Sequence, residues 1–410
     1  MKRSQFIKLV GASSLIPISN LGYSQNSTND SDVNNELQLQ IYTYLKEPII
    51  ISSIALLQWQ KEIFVVLKDN NNNVGISLCN TRMPNLTSLF TKLIVPFFIK
   101  KDARNIEQLV KEVYADERNY KYSGMPFWNC VGHIEVAIWD LLGKLANQPV
   151  HKLLGKGLRT ELPMYLSSLT RENSALEEFE KLQKAIIITN CKAVKIKVGG
   201  RLKSNDATEK RSKELVELLR KNYGNSITIY ADANGSYTAT AAIIMGKYLE
   251  ANNVDVLEEP CSWEDFETTQ LIKSKLHKIK IAGGEQDTSF NKFQWYCKHN
   301  ALNILQPDIF YNGGIVRALQ VAYLAKQHNK FFAPHSPKAN ALQAPFLHTM
   351  LVAPVVYGFQ EYPLNAVGKK PENWWKPNFV FNNGFISINS NVGLGIEYDE
   401  TIFSQATSIQ

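Results

Sequence analysis

Lys195-Ile196-Lys197 lies in a short β-branched run, residues 193–198, that reads as a strand. Side chains alternate along a strand, so both amines project to one face and Ile196 to the other. Two adjacent ammonium groups in a shielded place lower each other's pKa, which suits one of them to act as a base near neutral pH. Asp232, Glu258 and Glu285 stand at the ends of the next three apolar runs. Three converging carboxylates repel one another and take up protons unless a cation joins them. An all-oxygen set of this kind, completed by water and substrate, describes octahedral magnesium. Asn234, two residues past Asp232, faces the same way and is placed to hold a ligand or a water. Alternation leaves open whether Glu258 or Glu259 belongs to the metal set. Asp308 and His335 end two further runs. Where they meet, the carboxylate orients the imidazole and raises its pKa.

A repeat positions these groups. Lys197, Asp232, Glu258, Glu285, Asp308, His335 and Glu361 follow one another at intervals of 35, 26, 27, 23, 27 and 26 residues. A strand, a loop and a helix need about that much chain, since a βαβ unit takes roughly 30 residues with its second strand. Residues 207–223 and 315–327 are apolar at helical spacing between such runs. A parallel sheet follows. A closed barrel gathers consecutive strand ends around one pocket, so a (β/α) barrel is favoured over an open sheet. The Asp308–His335 dyad then stands across the pocket from the lysines.

The chain before residue 155 has another rhythm. Ile63-Phe64-Val65-Val66-Leu67 reads as a strand ending in an Asn-rich hairpin turn at residues 68–73. Residues 105–114 and 133–146 read as helices, the second with Ile134, Ile138, Leu141, Leu142 and Leu145 on one stripe. The organisation expected is an α+β domain over residues 37–155, a barrel over 156–362 and a C-terminal segment over 363–410.

Of 410 residues, 44% are hydrophobic and 20% charged, which excludes a disordered, collagenous or multi-span membrane chain. The net charge of +7 is spread along the chain and argues against a nucleic-acid surface. Cys79, Cys130, Cys191, Cys261 and Cys297 form no CxxC pair, so a cysteine zinc site is not expected. Residues 1–25 have a basic start, a short apolar run and a small, polar end, the layout of an export signal. Ser4 stands where a twin-arginine signal has its second arginine. A periplasmic protein is expected, free of the membrane after processing, with residues 26–36 as a polar linker.

In combination, several motifs resemble the enolase superfamily, in its mandelate racemase subgroup. They are Lys195-Ile196-Lys197, Asp232-Ala233-Asn234, Glu258-Glu259-Pro260, Gly284-Glu285-Gln286, Gln306-Pro307-Asp308 and His335-Ser336. Residues 134–143 (IEVAIWDLLG) resemble the last helix of the family's capping domain, and Val392-Gly393-Leu394-Gly395 its closing turn, with Val392 in a proline's place. The resemblance implies an α+β capping domain on a modified (β/α)7β TIM barrel, with the C-terminal segment returning to the cap. It implies Asp232, Glu258 and Glu285 as magnesium ligands, Lys197 as one base with Lys195 tuning it, and His335 with Asp308 as the opposite acid or base. Glu361 would hydrogen-bond the substrate carboxylate. The shared partial reaction is removal of a proton α to a carboxylate, through an enediolate. Dehydration of an acid sugar to a 2-keto-3-deoxy acid is the leading outcome. Racemisation, epimerisation or cycloisomerisation uses the same two arms, and an inactive sugar-acid-binding scaffold is the non-enzymatic rival. The resemblance further implies a homo-oligomer whose substrate is chosen by capping loops, expected at residues 46–54 and 70–84.

Overall fold

The computed structural model of the chain describes residues 37–409 apart from Pro371, Asn378, Asn389 and Ser390. The export signal and the linker expected over residues 1–36 lie outside the described residues.

The first strands, β1 (Ile51–Trp59), β2 (Glu62–Asp69) and β3 (Val74–Leu78), form an antiparallel meander. The Asn run between β2 and β3 is its turn. Asp69 Oδ1 accepts from the N–H groups of Asn71 and Asn73, each at 2.8 Å, and Asn72 takes a left-handed φ of +62° that asparagine tolerates. Helix α1 (Met125–Leu145) packs along this sheet. It begins eight residues before the expected start at His133. Pro126 pre-sets the first turn, and Phe127 to Gly143 are buried all round, so no single stripe marks the first two turns.

Among the described residues, eight parallel strands alternate with seven helices. The strands are β4 (Glu161–Ser167), β5 (Ala193–Lys197), β6 (Thr228–Asp232), β7 (Val256–Glu258), β8 (Lys280–Gly283), β9 (Ile304–Leu305), β10 (Phe331–Phe332) and β11 (Gln360–Pro363). Neighbours pair in sequence from β4 to β10, and β11 returns to β4, so the sheet curls into a (β/α)7β barrel. Side chains of Ser174, Asn205, Thr238, Asp265 and Ser289 each accept a backbone N–H at the start of a barrel helix. Inside, Tyr165, Ala193, Tyr230, Val256, Ala282, Ile304 and Ala333 form one packed layer. Period-two alternation carries this inward face on to Lys195, Lys197, Asp232 and Glu258. Val194, Ile196, Ile229, Leu257 and Ile281 belong to the outer core beneath the helices.

The C-terminal segment supplies β12 (Trp375–Lys376), β13 (Phe379–Asn382), β14 (Phe385–Ile388), β15 (Glu397–Tyr398) and β16 (Thr407–Ile409). Strand β14 pairs with β4, and β16 extends the first sheet beside β1. Trp374, Tyr398 and Phe403 surround Phe64 at 5.3–5.9 Å between ring centroids.

Two buried acids of α1 join the pieces. Glu135 accepts the N–H groups of Ile315 and Val316, both at 2.9 Å, where helix Ile315–Gln327 begins, and Trp139 Nε1–H at 2.7 Å. A helix N-terminus offers free N–H groups and positive potential, which suits a carboxylate. Gly314, at φ +113°, makes room, since a Cβ there would lie 2.4 Å from Glu135 Cδ. Asp140 accepts Ile76 N–H at 2.9 Å, Leu394 N–H at 3.0 Å and Lys144 Nζ at 2.6 Å, tying β3 and the closing turn to the helix.

Candidate active site

The site is built at the carboxyl ends of the barrel strands. Register places Lys197 beside Asp232 and Asp232 beside Glu258 on adjacent strands, while Ser167 of β4 lies beside Lys195. Lys195 donates to Glu258 at 2.9 and 3.1 Å, lies 3.0 Å from Glu361 and caps the Tyr165 ring at 5.5 Å. Lys197 donates to Asp232 and, at 3.2 Å, to Asn234 Oδ1. The two lysines share Asp232, which lies 4.0 Å from Lys195, but Lys195 has its nearest partners in Glu258 and Glu361. The expected mutual lowering is overturned for Lys195: burial opposes its charge, but Glu258 and Glu361 outweigh that and hold its pKa well above the ordinary value. Lys195 is a permanent buried cation.

Across the barrel, His335 Nδ1 is 3.0 Å from Asp308 Oδ2. Asp308 Oδ1 accepts the N–H groups of Phe310 and Tyr311 at 2.9 and 3.2 Å. Burial works against the charged ring, yet Glu285 and the Asp308 hydrogen bond raise the His335 pKa. His335 Nε2 points to Glu285 Oε2 at 3.3 Å. The strand order sets β5, with the lysines, opposite β9 and its Asp308.

Glu361 accepts from Ser167 Oγ at 2.7 Å and Ser336 N–H at 2.9 Å. Burial opposes its charge, but Lys195 and His335 keep its pKa low. Asn234 is turned to protein groups: Oδ1 also accepts from Arg171 at 2.9 Å, and Nδ2 donates to Glu259 at 3.4 Å.

The expected magnesium ligands Asp232, Glu258 and Glu285 stand at or just past three adjacent strand ends. As placed, no three His, Cys, Asp or Glu side chains among the described residues form a metal cage. Asp232 is drawn to Lys197, Glu258 to Lys195 and Glu285 to His335. The donors nonetheless fit a hard cation. All are oxygens, and Glu259 Oε1 is buried with no partner. Burial, reinforced by Asp232, Glu285 and Glu361, pushes Glu258 up to about 7 even with Lys195 beside it. Glu258, at the end of β7, faces Lys195 and Gln306, whereas Glu259 turns away in a left-handed conformation (φ +43°) toward Asn234.

Above the site opens a cavity of about 650 Å³, lined from the barrel by Tyr311, His335 and Lys338 and from the first sheet by Lys61, Asn80 and Thr81. Residues 46–54 do not line it, contrary to expectation. Ile49 and Ile51 are buried there, and the backbone of that stretch bonds to Lys101 and Ala103. Residues 80 and 81 of the second expected loop do line it, beside the β1–β2 turn. A larger cavity, about 1030 Å³, lies around His151, Arg159 and Tyr323 and includes none of the site residues. Sequence reasoning missed Ser167, Arg171, Gln306 and Lys338. For Ser167 the signal was a polar residue closing the run Leu162 to Leu166, 30 residues before Lys197.

Residues 40–155 match the model of the mandelate racemase / muconate lactonizing enzyme N-terminal domain, and residues 177–402 that of the enolase C-terminal domain-like family. Arabinonate dehydratase of Saccharolobus solfataricus is 24% identical over 316 residues, 77% of this chain and 81% of the relative. D-Galactonate dehydratase of Verminephrobacter eiseniae is 26% identical over 313 residues, 75% of this chain and 80% of the relative. A solved mandelate racemase/muconate lactonizing protein from Paracoccus denitrificans, complexed with magnesium, superposes with a TM-score of 0.78 at 24% identity, covering 88% of this chain and 99% of that one. A member of the enolase superfamily from Salmonella Typhimurium gives 0.79 at 19% identity, with the same coverage. Two family models that together take in most of the described chain, on a capped (β/α)7β barrel, establish that it belongs to the enolase superfamily, in the mandelate racemase subgroup.

Proposed function

We propose that this chain is a magnesium-dependent acid-sugar dehydratase. The observation that carries the reading is the pair of proton-transfer arms at opposite strand ends, Lys197 on Asp232 and His335 on Asp308, with buried Lys195 and the acids between them. Curated relatives that dehydrate arabinonate and galactonate support the sugar acid as substrate class.

Removing a proton α to a carboxylate needs a base and strong stabilisation of the charge that develops. In this reading Lys197 Nζ takes the α-proton. Lys195, fixed by Glu258 and Glu361, stands by the substrate carboxylate as a cation needing no reorganisation. Asp232, Glu258 and Glu285 would hold the magnesium ion, which when bound supplies Lewis-acid stabilisation of that carboxylate. His335 then gives its Nε2 proton to the β-hydroxyl. The C–O bond breaks, water leaves, and the enol becomes a 2-keto-3-deoxy acid. Asp308 holds the ring in the required tautomer through Nδ1.

The test is incubation with magnesium and a library of sugar acids in deuterated water, following 2-keto acid formation and deuterium at the α-carbon together. A 2-keto product is expected. Deuterium at the α-carbon with no keto product would instead make the chain a racemase or epimerase.

A further inference from the structure

We propose that Lys338 is a specificity-determining residue that selects acids carrying a second anionic group, a carboxylate or a phosphate, away from the reacting carbons. This rests on the dehydratase reading for the position of the first carboxylate. Lys338 follows His335 by three residues, and its side chain is only 12% exposed. Its Nζ is 2.9 Å from Asp308 Oδ2, the oxygen that also takes His335 Nδ1. The chain runs over the rings of Phe346 and Phe310, with Nζ 4.5 and 6.0 Å from their centroids. The ammonium group is thus held on a fixed stem in the wall of the 650 Å³ cavity, next to His335. A structural lysine would need one carboxylate of its own. Here a single carboxylate serves two cationic partners, and an ammonium group has three donors to place.

The rest of the wall has the same sign. Lys61, Lys338, Lys369 and Lys370 line the cavity against Glu62 and Glu372. Lys61 lies 3.8 and 3.9 Å from those two glutamates, and four lysines against two glutamates leave the wall two positive charges in excess. The inner end of the site is crowded with acids and the outer end with amines. A monoacid sugar puts its one charge at Lys195 and only hydroxyls near Lys338. A dianion places its second charge where the surplus is, beside the Lys338 ammonium on its fixed stem.

The experiment compares kcat/KM with magnesium for aldonates, aldarates and 6-phosphoaldonates of matching stereochemistry. It also measures, by calorimetry on the magnesium-loaded protein, the binding of glutarate against butyrate. The dianions are expected to exceed the matching monoacid by about tenfold or more, and glutarate to bind about tenfold tighter than butyrate. Whether aldarates or phosphoaldonates lead tells the carboxylate from the phosphate. Lys338→Met should raise KM for the dianion about tenfold, with a much smaller rise for the monoacid, while Lys338→Arg keeps the preference. Equal kcat/KM for both classes overturns the proposal and leaves the dehydratase reading standing. A Lys338→Met loss in kcat alike for every acid also overturns it, since Lys338 would then act only through Asp308 and His335. If no acid turns over, the dehydratase reading falls, and glutarate binding no tighter than butyrate overturns the second anionic site.

Discussion

Helix α1 and the barrel mouth both bury carboxylates, and the neighbours differ. Glu135 meets three N–H donors and, among the described residues, no second acid within hydrogen-bonding reach, and burial alone lifts its pKa to about 7. Glu258 reaches the same value from a different balance: burial and three other carboxylates raise it, against one lysine. A raised pKa therefore does not separate a structural acid from a working one. What separates these two is the partners: Glu135 is satisfied by two backbone donors and an indole N–H, whereas Glu258 is contested among charged side chains.

The sharpest way to break this comparison is Glu258→Gln. Turnover should fall by about 10³-fold or more, because the variant loses an acid from the electrostatic centre of the site. Stability in a denaturant titration should fall by less than in Glu135→Ala, since relieved repulsion from Asp232, Glu285 and Glu361 offsets part of the lost Lys195 pair, and Lys195 keeps Glu361. An active variant, or one that unfolds, would erase the distinction. Glu135→Ala should do the reverse and cost about 3 kcal/mol of stability, with two backbone donors and an indole N–H left buried and unpaired. A loss under about 1 kcal/mol there would show that the donors find other partners.

The third test is the mildest. Both acids hold protons in the folded state at pH values where the unfolded chain has released them, between about 4.5 and 7. Stability should therefore fall as pH rises through that window. A bound divalent cation requires Glu258 ionised, so adding magnesium near pH 7 should release about half a proton and flatten part of the slope. The part due to Glu135 should persist with the metal and in Glu258→Gln. An unchanged slope and no proton release would remove Glu258 from the metal set.

The sequence made the barrel legible because charged residues recur at strand ends with one interval. It hid β4, whose end carries neutral Ser167, and the first two turns of α1, which are apolar on every side. The site was legible where side chains sit on strand ends, as with Lys195, Asp232, Glu258 and His335. Arg171 and Lys338 were not, because each acts from an irregular loop whose path depends on the packed barrel. The partners of each lysine, Glu258 and Glu361 for Lys195 and Asp232 for Lys197, were equally hidden, since alternation gives a face but not a partner. The capping loop was misplaced at residues 46–54 because its Ile49-Ile50-Ile51 run belongs to the covered edge of β1, bonded to the backbone of Lys101 and Ala103.

The Glu135 bridge has a consequence for how substrate is chosen. The helix it caps follows directly on the Asp308 loop, so any swing of α1 against the barrel would strip a buried carboxylate of its donors and disturb the His335 support together. The α1 side of the cap is thus tied to the barrel through Glu135. The short turns around Asn80, Lys61 and Lys369, which line the cavity, are where exchanged residues should change substrate choice while Lys197 and His335 stay in place.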